Sequence, residues 1–200
     1  MSTRMNSSVF VVVVVLAAAA ASAPAQWTVT NLHPPGASES HATGVANGQQ
    51  AGVAILGGWH ASVWSGTAVS WVDLNPAGAE ESSANGVGDL QQVGHASFGA
   101  VRHASLWRGD AASWVDLHPS GATASTAWAV SGSQQAGEAT IGTRSHASLW
   151  SGSAASWVDL HPAGAAGSAA RGAGSGQQAG FANWVIGLDA YEKNVTDQFD

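Results

Sequence analysis

The sequence predicts an all-β chain, a propeller of four-stranded antiparallel blades, and three observations lead there. A set of motifs recurs at a spacing of 42 to 44 residues, the length of one blade. No stretch outside the N-terminal leader sustains a 3.6-residue apolar period, and glycine, serine and threonine disfavour helix throughout. Ten tryptophans in a chain that is 10% charged supply buried area that the small side chains cannot.

Residues 1–25 read as a signal peptide. A basic start at Arg4 precedes an apolar run over residues 9–21 and the small-residue exit Ala23-Pro24-Ala25. The run is shorter than the ~20 residues a spanning helix needs, so a membrane anchor is the weaker reading. The expected destination is secreted, extracellular or periplasmic, with no membrane span in the mature chain.

The repeat domain is expected over 26–188. Trp71-Val72-Asp73-Leu74-Asn75-Pro76 returns as residues 114–119 and 157–162, and Gln49-Gln50 returns at Gln91, Gln134 and Gln177. Units therefore lie near 42–79, 84–122 and 127–165, with a partial unit at 168–188. Residues 27–34 match the last strand of a unit that has nothing before it. Asn47-Gly48, Gly132-Ser133 and Ser175-Gly176 read as hairpin turns. The orphan strand and the partial unit are complementary, so their pairing would close a ring of four blades; the alternative is a truncated larger ring. A closed ring is expected to be monomeric. A three-fold trefoil is disfavoured by the fourth Gln-Gln pair. Residues 189–200 are charge-rich and unlike the repeats.

The last two strands of a unit admit one register. A hairpin centred between Thr67 and Ala68 sets Trp64 opposite Trp71, Ser62 opposite Asp73 and His60 opposite Asn75 on one face. Val63 then meets Val72, and Ala61 meets Leu74, on the other. The same register gives Trp107 with Trp114, Ser105 with Asp116 and His103 with His118. In the third unit it gives Trp150 with Trp157, Ser148 with Asp159 and His146 with His161. Each blade is thus expected to carry an aliphatic face and a face bearing a tryptophan pair, a Ser-Asp contact and a histidine.

Composition excludes several functions. A formal charge of −7 with six scattered basic residues cannot form the cationic surface nucleic acid requires. The absence of cysteine removes disulfides, thiolate zinc sites and a cysteine nucleophile. Gly-rich stretches lack the Lys-Ser/Thr of a phosphate loop, and no nucleophile elbow has a strand-to-helix context. Asn194-Val195-Thr196 matches a glycosylation acceptor, relevant only to a eukaryotic secretory route.

The sequence Gln-Gln-x-Gly-x-Ala, His-Ala-x-x-Trp, Asp-Leu, carried by nearly all of residues 27–182, resembles the extracellular HAF-type repeat. Ser62, Ser105 and Ser148 stand where that signature has phenylalanine. The resemblance implies a secreted, propeller-like repeat protein without established catalysis, and it brings no catalytic residues.

His60, His103 and His146 with Asp73, Asp116 and Asp159 suggest a metal or acid–base centre, but equivalent positions in successive blades spread around a ring and do not converge on one ion. With Ser62, Ser105 and Ser148 they are expected to form a structural hydrogen-bond network. A histidine pair such as His103 with His118 could hold zinc only adventitiously, so no metal and no cofactor is expected. Trp59, Trp128 and Trp184 each occur once, outside the shared pattern, which makes them candidate ligand contacts on variable turns. Two functions follow: a non-catalytic interaction or surface scaffold for an extracellular protein, or a lectin-like propeller that binds a glycan. An enzyme is not expected.

Overall fold

The computed structural model describes residues 28–184, which form four antiparallel sheets in chain order. The leader, Trp27, the segment 185–188, the tail and the Asn194 acceptor lie outside the described residues. The first sheet runs β1 (Glu39–Ala46), β2 (Gln49–Ile55), β3 (Trp59–Trp64) and β4 (Val72–Asp73). The second comprises β5 (Glu81–Gly88), β6 (Gln91–Phe98), β7 (Val101–Trp107) and β8 (Val115–Asp116). The third comprises β9 (Ala122–Ser131), β10 (Gln134–Ile141), β11 (Arg144–Trp150) and β12 (Val158–Asp159). The fourth has two strands among the described residues, β13 (Gly167–Gly174) and β14 (Gln177–Asn183). Each is a simple meander. The only helical elements among the described residues are three 3₁₀ turns, so no described helix is long and apolar enough to cross a membrane.

Local chemistry explains the elements. Asn47 and Gly48 both adopt positive φ, 50° and 77°, as a two-residue hairpin turn requires. Strands β1, β5 and β9 start three to five residues ahead of the unit boundaries drawn from sequence. Their upstream ends pair with the far end of the second strand, as Glu39 with Ile55 and Glu81 with Ser97. Between the third and fourth strands the expected register holds: Ser62 faces Asp73 and Val63 faces Val72, with the same pairs at 105/116 and 148/159. The connection is a 3₁₀ turn, closed by a serine that repeats with the unit. Ser113 Oγ donates to the Asp110 carbonyl at 2.6 Å and accepts from the Arg108 amide at 2.8 Å.

The glycine of Gln-Gln-x-Gly has a specific cause. At Gly52, Gly94, Gly137 and Gly180 a Cβ would collide with the carbonyl oxygen of His41, Ser83, Thr126 and Ala169, respectively. Each of these carbonyls precedes a β-bulge in the first strand, where the extra residue drives the backbone toward its neighbour.

Sheets stack face to face. β5 lies across β1, β2 and β3, β9 across β5, β6 and β7, and β13 across β9, β10 and β11. The core sits between them. Ala51, Ala61, Val63 and Leu74 of the first sheet pack with Ala84, Ala96 and Trp107 of the second. Val93, Ala104, Leu106 and Leu117 of the second pack with Ala127, Val130 and Trp150 of the third. The aliphatic face of one sheet therefore meets the tryptophan face of the next, and the indole fills the space that alanines leave.

The two indoles of a unit divide the work instead of forming the expected cross-strand pair. Trp64, Trp107 and Trp150 are fully buried, whereas Trp71, Trp114 and Trp157 are half-buried. Among the described residues no aromatic pair joins them. The second indole turns its N–H onto the unit's serine, at 2.9 Å for Trp71 to Ser62, 3.0 Å for Trp114 to Ser105 and 2.9 Å for Trp157 to Ser148.

Candidate binding surface

The repeated polar residues form three copies of one network. His60 Nδ1 lies 2.8 Å from Asp73 Oδ2, and His103 with Asp116 and His146 with Asp159 have the same separation. The second carboxylate oxygen accepts the backbone N–H two residues on, of Asn75, His118 or His161. Ser62 and Asp73 are strand partners, yet their side chains bond elsewhere. The serine hydroxyl donates to its own unit's histidine carbonyl at 2.9 Å and accepts from the indole. In no copy does it bond the imidazole, so the serine, histidine and aspartate do not make the relay a nucleophilic triad needs.

A serine of the next sheet completes each network. Ser125 Oγ accepts from the Ala104 amide at 2.9 Å and meets His118 Nδ1 at 2.8 Å, and Ser168 does the same for Ala147 and His161. In the first unit Ser82 receives the Ala61 amide and donates to Asn75 Oδ1 at 2.6 Å. The N-terminal segment reproduces half of this pattern. The His33 amide donates to Asn31 Oδ1, and the His33 ring meets Ser40 Oγ at 3.0 Å and the Ala37 carbonyl at 3.1 Å. Residues 28–38 thus carry the contacts of a unit's last strand although no strand is formed there. His103 stacks on His118 at 4.2 Å and His146 on His161 at 4.0 Å. Burial and the neighbouring His103 hold His118 below the usual histidine range. Among the described residues no cluster of three or more ligating side chains could hold a metal ion.

The Gln-Gln pair links the sheets. Gln92 Nε2 donates to Gln49 Oε1, Gln135 to Gln91 and Gln178 to Gln134, at 3.0, 3.3 and 3.1 Å. The oxygens of Gln50, Gln92 and Gln135 accept from the loop amides of Gly66, Gly109 and Gly152. These contacts tie neighbouring sheets together, with Gln92 and Gln135 fully buried.

A second row of equivalent positions behaves differently. The bulge falls at Thr43, Asn85, Trp128 and Arg171, four unlike side chains at one place in the repeat. Thr43 Oγ1 donates to the Ala84 carbonyl at 2.8 Å and Asn85 Nδ2 to the Ala127 carbonyl at 3.0 Å, each reaching the next sheet. Trp128 Nε1 donates to Glu138 Oε1 at 3.2 Å, and the Arg171 guanidinium lies 4.0 Å from the Trp128 ring centroid. Arg171 also sits 5.7 Å from Phe181 and 3.5 Å from the Glu138 carboxylate. The result is an indole, a guanidinium and a phenyl ring in one stack with a carboxylate at its side, partly open to solvent. Glu138 and Phe181 occupy the position held by His95 in the second sheet, where burial, then Arg102, pushes the imidazole pKa down to about 4.

Of the three singular tryptophans, Trp128 alone joins this cluster. Trp59 opens β3 with 49% of its surface exposed, and Trp184 follows β14 at 57%; no aromatic contact joins either to the other or to Trp128. Glu138, Arg171 and Phe181 were not singled out by sequence, although aligning the units exposes them as positions that vary inside a constant frame. Comparison with protein-family models, with curated proteins and with solved structures finds no match for this chain.

Proposed function

We propose that this chain is a non-catalytic, exported repeat module whose sheets are successive blades of a propeller and whose bulge row contacts an extracellular partner. One observation carries the reading. Glutamine, histidine, serine and aspartate repeat with the period and spend their hydrogen bonds on the scaffold, while the bulge positions change with every copy. Variable side chains on a fixed frame are how loops and bulges acquire recognition. The HAF-like motifs and the leader support export. Surface binding of labelled protein to the cells that export it is the test: Trp128→Ala with Arg171→Ala abolishes it while circular dichroism stays unchanged. Undiminished binding by that double variant overturns the reading.

A lectin-like role is the second reading, favoured by the exposed indoles of Trp59 and Trp184, on which a sugar ring can stack. It calls for saturable signals on a glycan array that disappear with Trp59→Ala or Trp184→Ala.

A further inference from the structure

We propose that the outer edge of β14 docks an extended strand from a different protein, which inserts a tryptophan into the cleft between the third and fourth sheets. The cleft, about 230 Å³, is walled by Ala147, Leu160 and Pro162 on one side and Ala169, Ala170 and Phe181 on the other. Elsewhere in the chain the same place is filled. Trp150, fully buried, closes the contact of the second and third sheets against Ala104, Leu117 and Ala127. Those three residues recur 43 positions on as Ala147, Leu160 and Ala170, the cleft's own walls. Trp107 fills the preceding contact in the same way.

Both tryptophans arrive on a strand beside the Gln-Gln strand, Trp107 paired with Gln92 and Trp150 with Gln135. Among the described residues no strand pairs with the outer edge of β14, and Leu160 is exposed where its counterpart Leu117 is fully buried. Gln178 keeps its donor contact to Gln134, yet among the described residues no loop amide reaches its Oε1 as Gly109 and Gly152 reach Gln92 and Gln135. The residues at the corresponding repeat positions of this chain are Glu192 and Lys193, standing for Leu149 and Trp150; an ammonium is strongly disfavoured in an apolar slot. The occupant is therefore a strand from elsewhere, with small residues toward the third sheet, an indole opposite Gln178 and a glycine two residues later. Strand addition supplies main-chain hydrogen bonds and the cleft supplies specificity. The inference rests on the sheets and does not require a closed ring.

A capped synthetic peptide with the sequence of residues 144–152, titrated into the full mature chain, tests this. Saturable one-to-one binding is expected, with slowed amide exchange over Gln177–Asn183 and a blue shift of the peptide indole. Replacing the peptide's tryptophan by alanine weakens binding by about a hundredfold, and Leu160→Lys in the protein abolishes it with the circular dichroism unchanged. Absence of binding at millimolar peptide overturns the proposal, as does equal binding of the alanine peptide. Amides of β14 already protected in the free protein overturn it too, whether the occupant is this chain's own 185–200 segment or, where protection rises with protein concentration, a second copy.

Discussion

Gln92 reaches from the second sheet to the first, its Nε2 donating to Gln49 Oε1 at 3.0 Å while its own Oε1 accepts the Gly109 amide at 2.9 Å. The side chain is fully buried, so each of its polar atoms must find a partner within the protein. Gln92→Ala removes both bonds, strands the Gly109 N–H and opens a void. The expected cost is about 2 to 4 kcal/mol in urea unfolding. Gln50→Ala, at a half-buried position, costs less.

Gly94→Ala is expected to be more damaging than its single methyl suggests. The added carbon meets the Ser83 carbonyl, a backbone atom that cannot rotate away, so the bulge or the strand pairing must yield. A loss of about 3 kcal/mol or more is expected, measured as a fall in Tm. Gly174→Ala, which meets nothing within 4 Å, serves as the control.

The division of labour between the indoles gives a paired test. Trp107→Ala is expected to cost about 3 to 5 kcal/mol through the cavity it leaves. Trp114→Phe keeps most of the packing and loses the bond to Ser105, for about 1 kcal/mol. Equal costs in chemical denaturation would refute the assignment.

Stability is expected to fall on acidification. His95 and His118 are both held below the ordinary histidine range, His95 down to about 4. Between pH 6.5 and 4 the unfolded chain binds a proton at residue 95 that the folded chain refuses, so stability present above pH 6.5 is lost as the pH falls. The loss attributable to His95 is about 3 kcal/mol at pH 4, and His95→Asn flattens the slope of denaturation free energy against pH over that window.

Much of this architecture is legible in the sequence because the repeat supplies three independent copies of each hint. The third-to-fourth-strand register follows from alternation alone: small and aliphatic residues at Ala61, Val63 and Leu74 select one face, and the pairing of Ser62 with Asp73 comes with it. The partners within that face do not follow. His60, Ser62 and Asp73 share a surface, and only side-chain reach decides that the imidazole takes the carboxylate while the short hydroxyl takes the indole N–H. The bulges are hidden for a related reason. A bulge adds one residue to a strand without breaking the period of the whole unit, so Asn85 and Arg171 look like ordinary strand residues until the pairing is seen.

The serine that crosses from each sheet to its predecessor gives the array a direction. Ala61, Ala104 and Ala147 all surrender their amides to a residue 21 positions later, so each of the first three sheets is clasped by the one synthesised after it. Under mechanical tension the chain should yield one sheet at a time. Each rupture would release some 43 residues, about 150 Å of contour, and produce a sawtooth of evenly spaced force peaks.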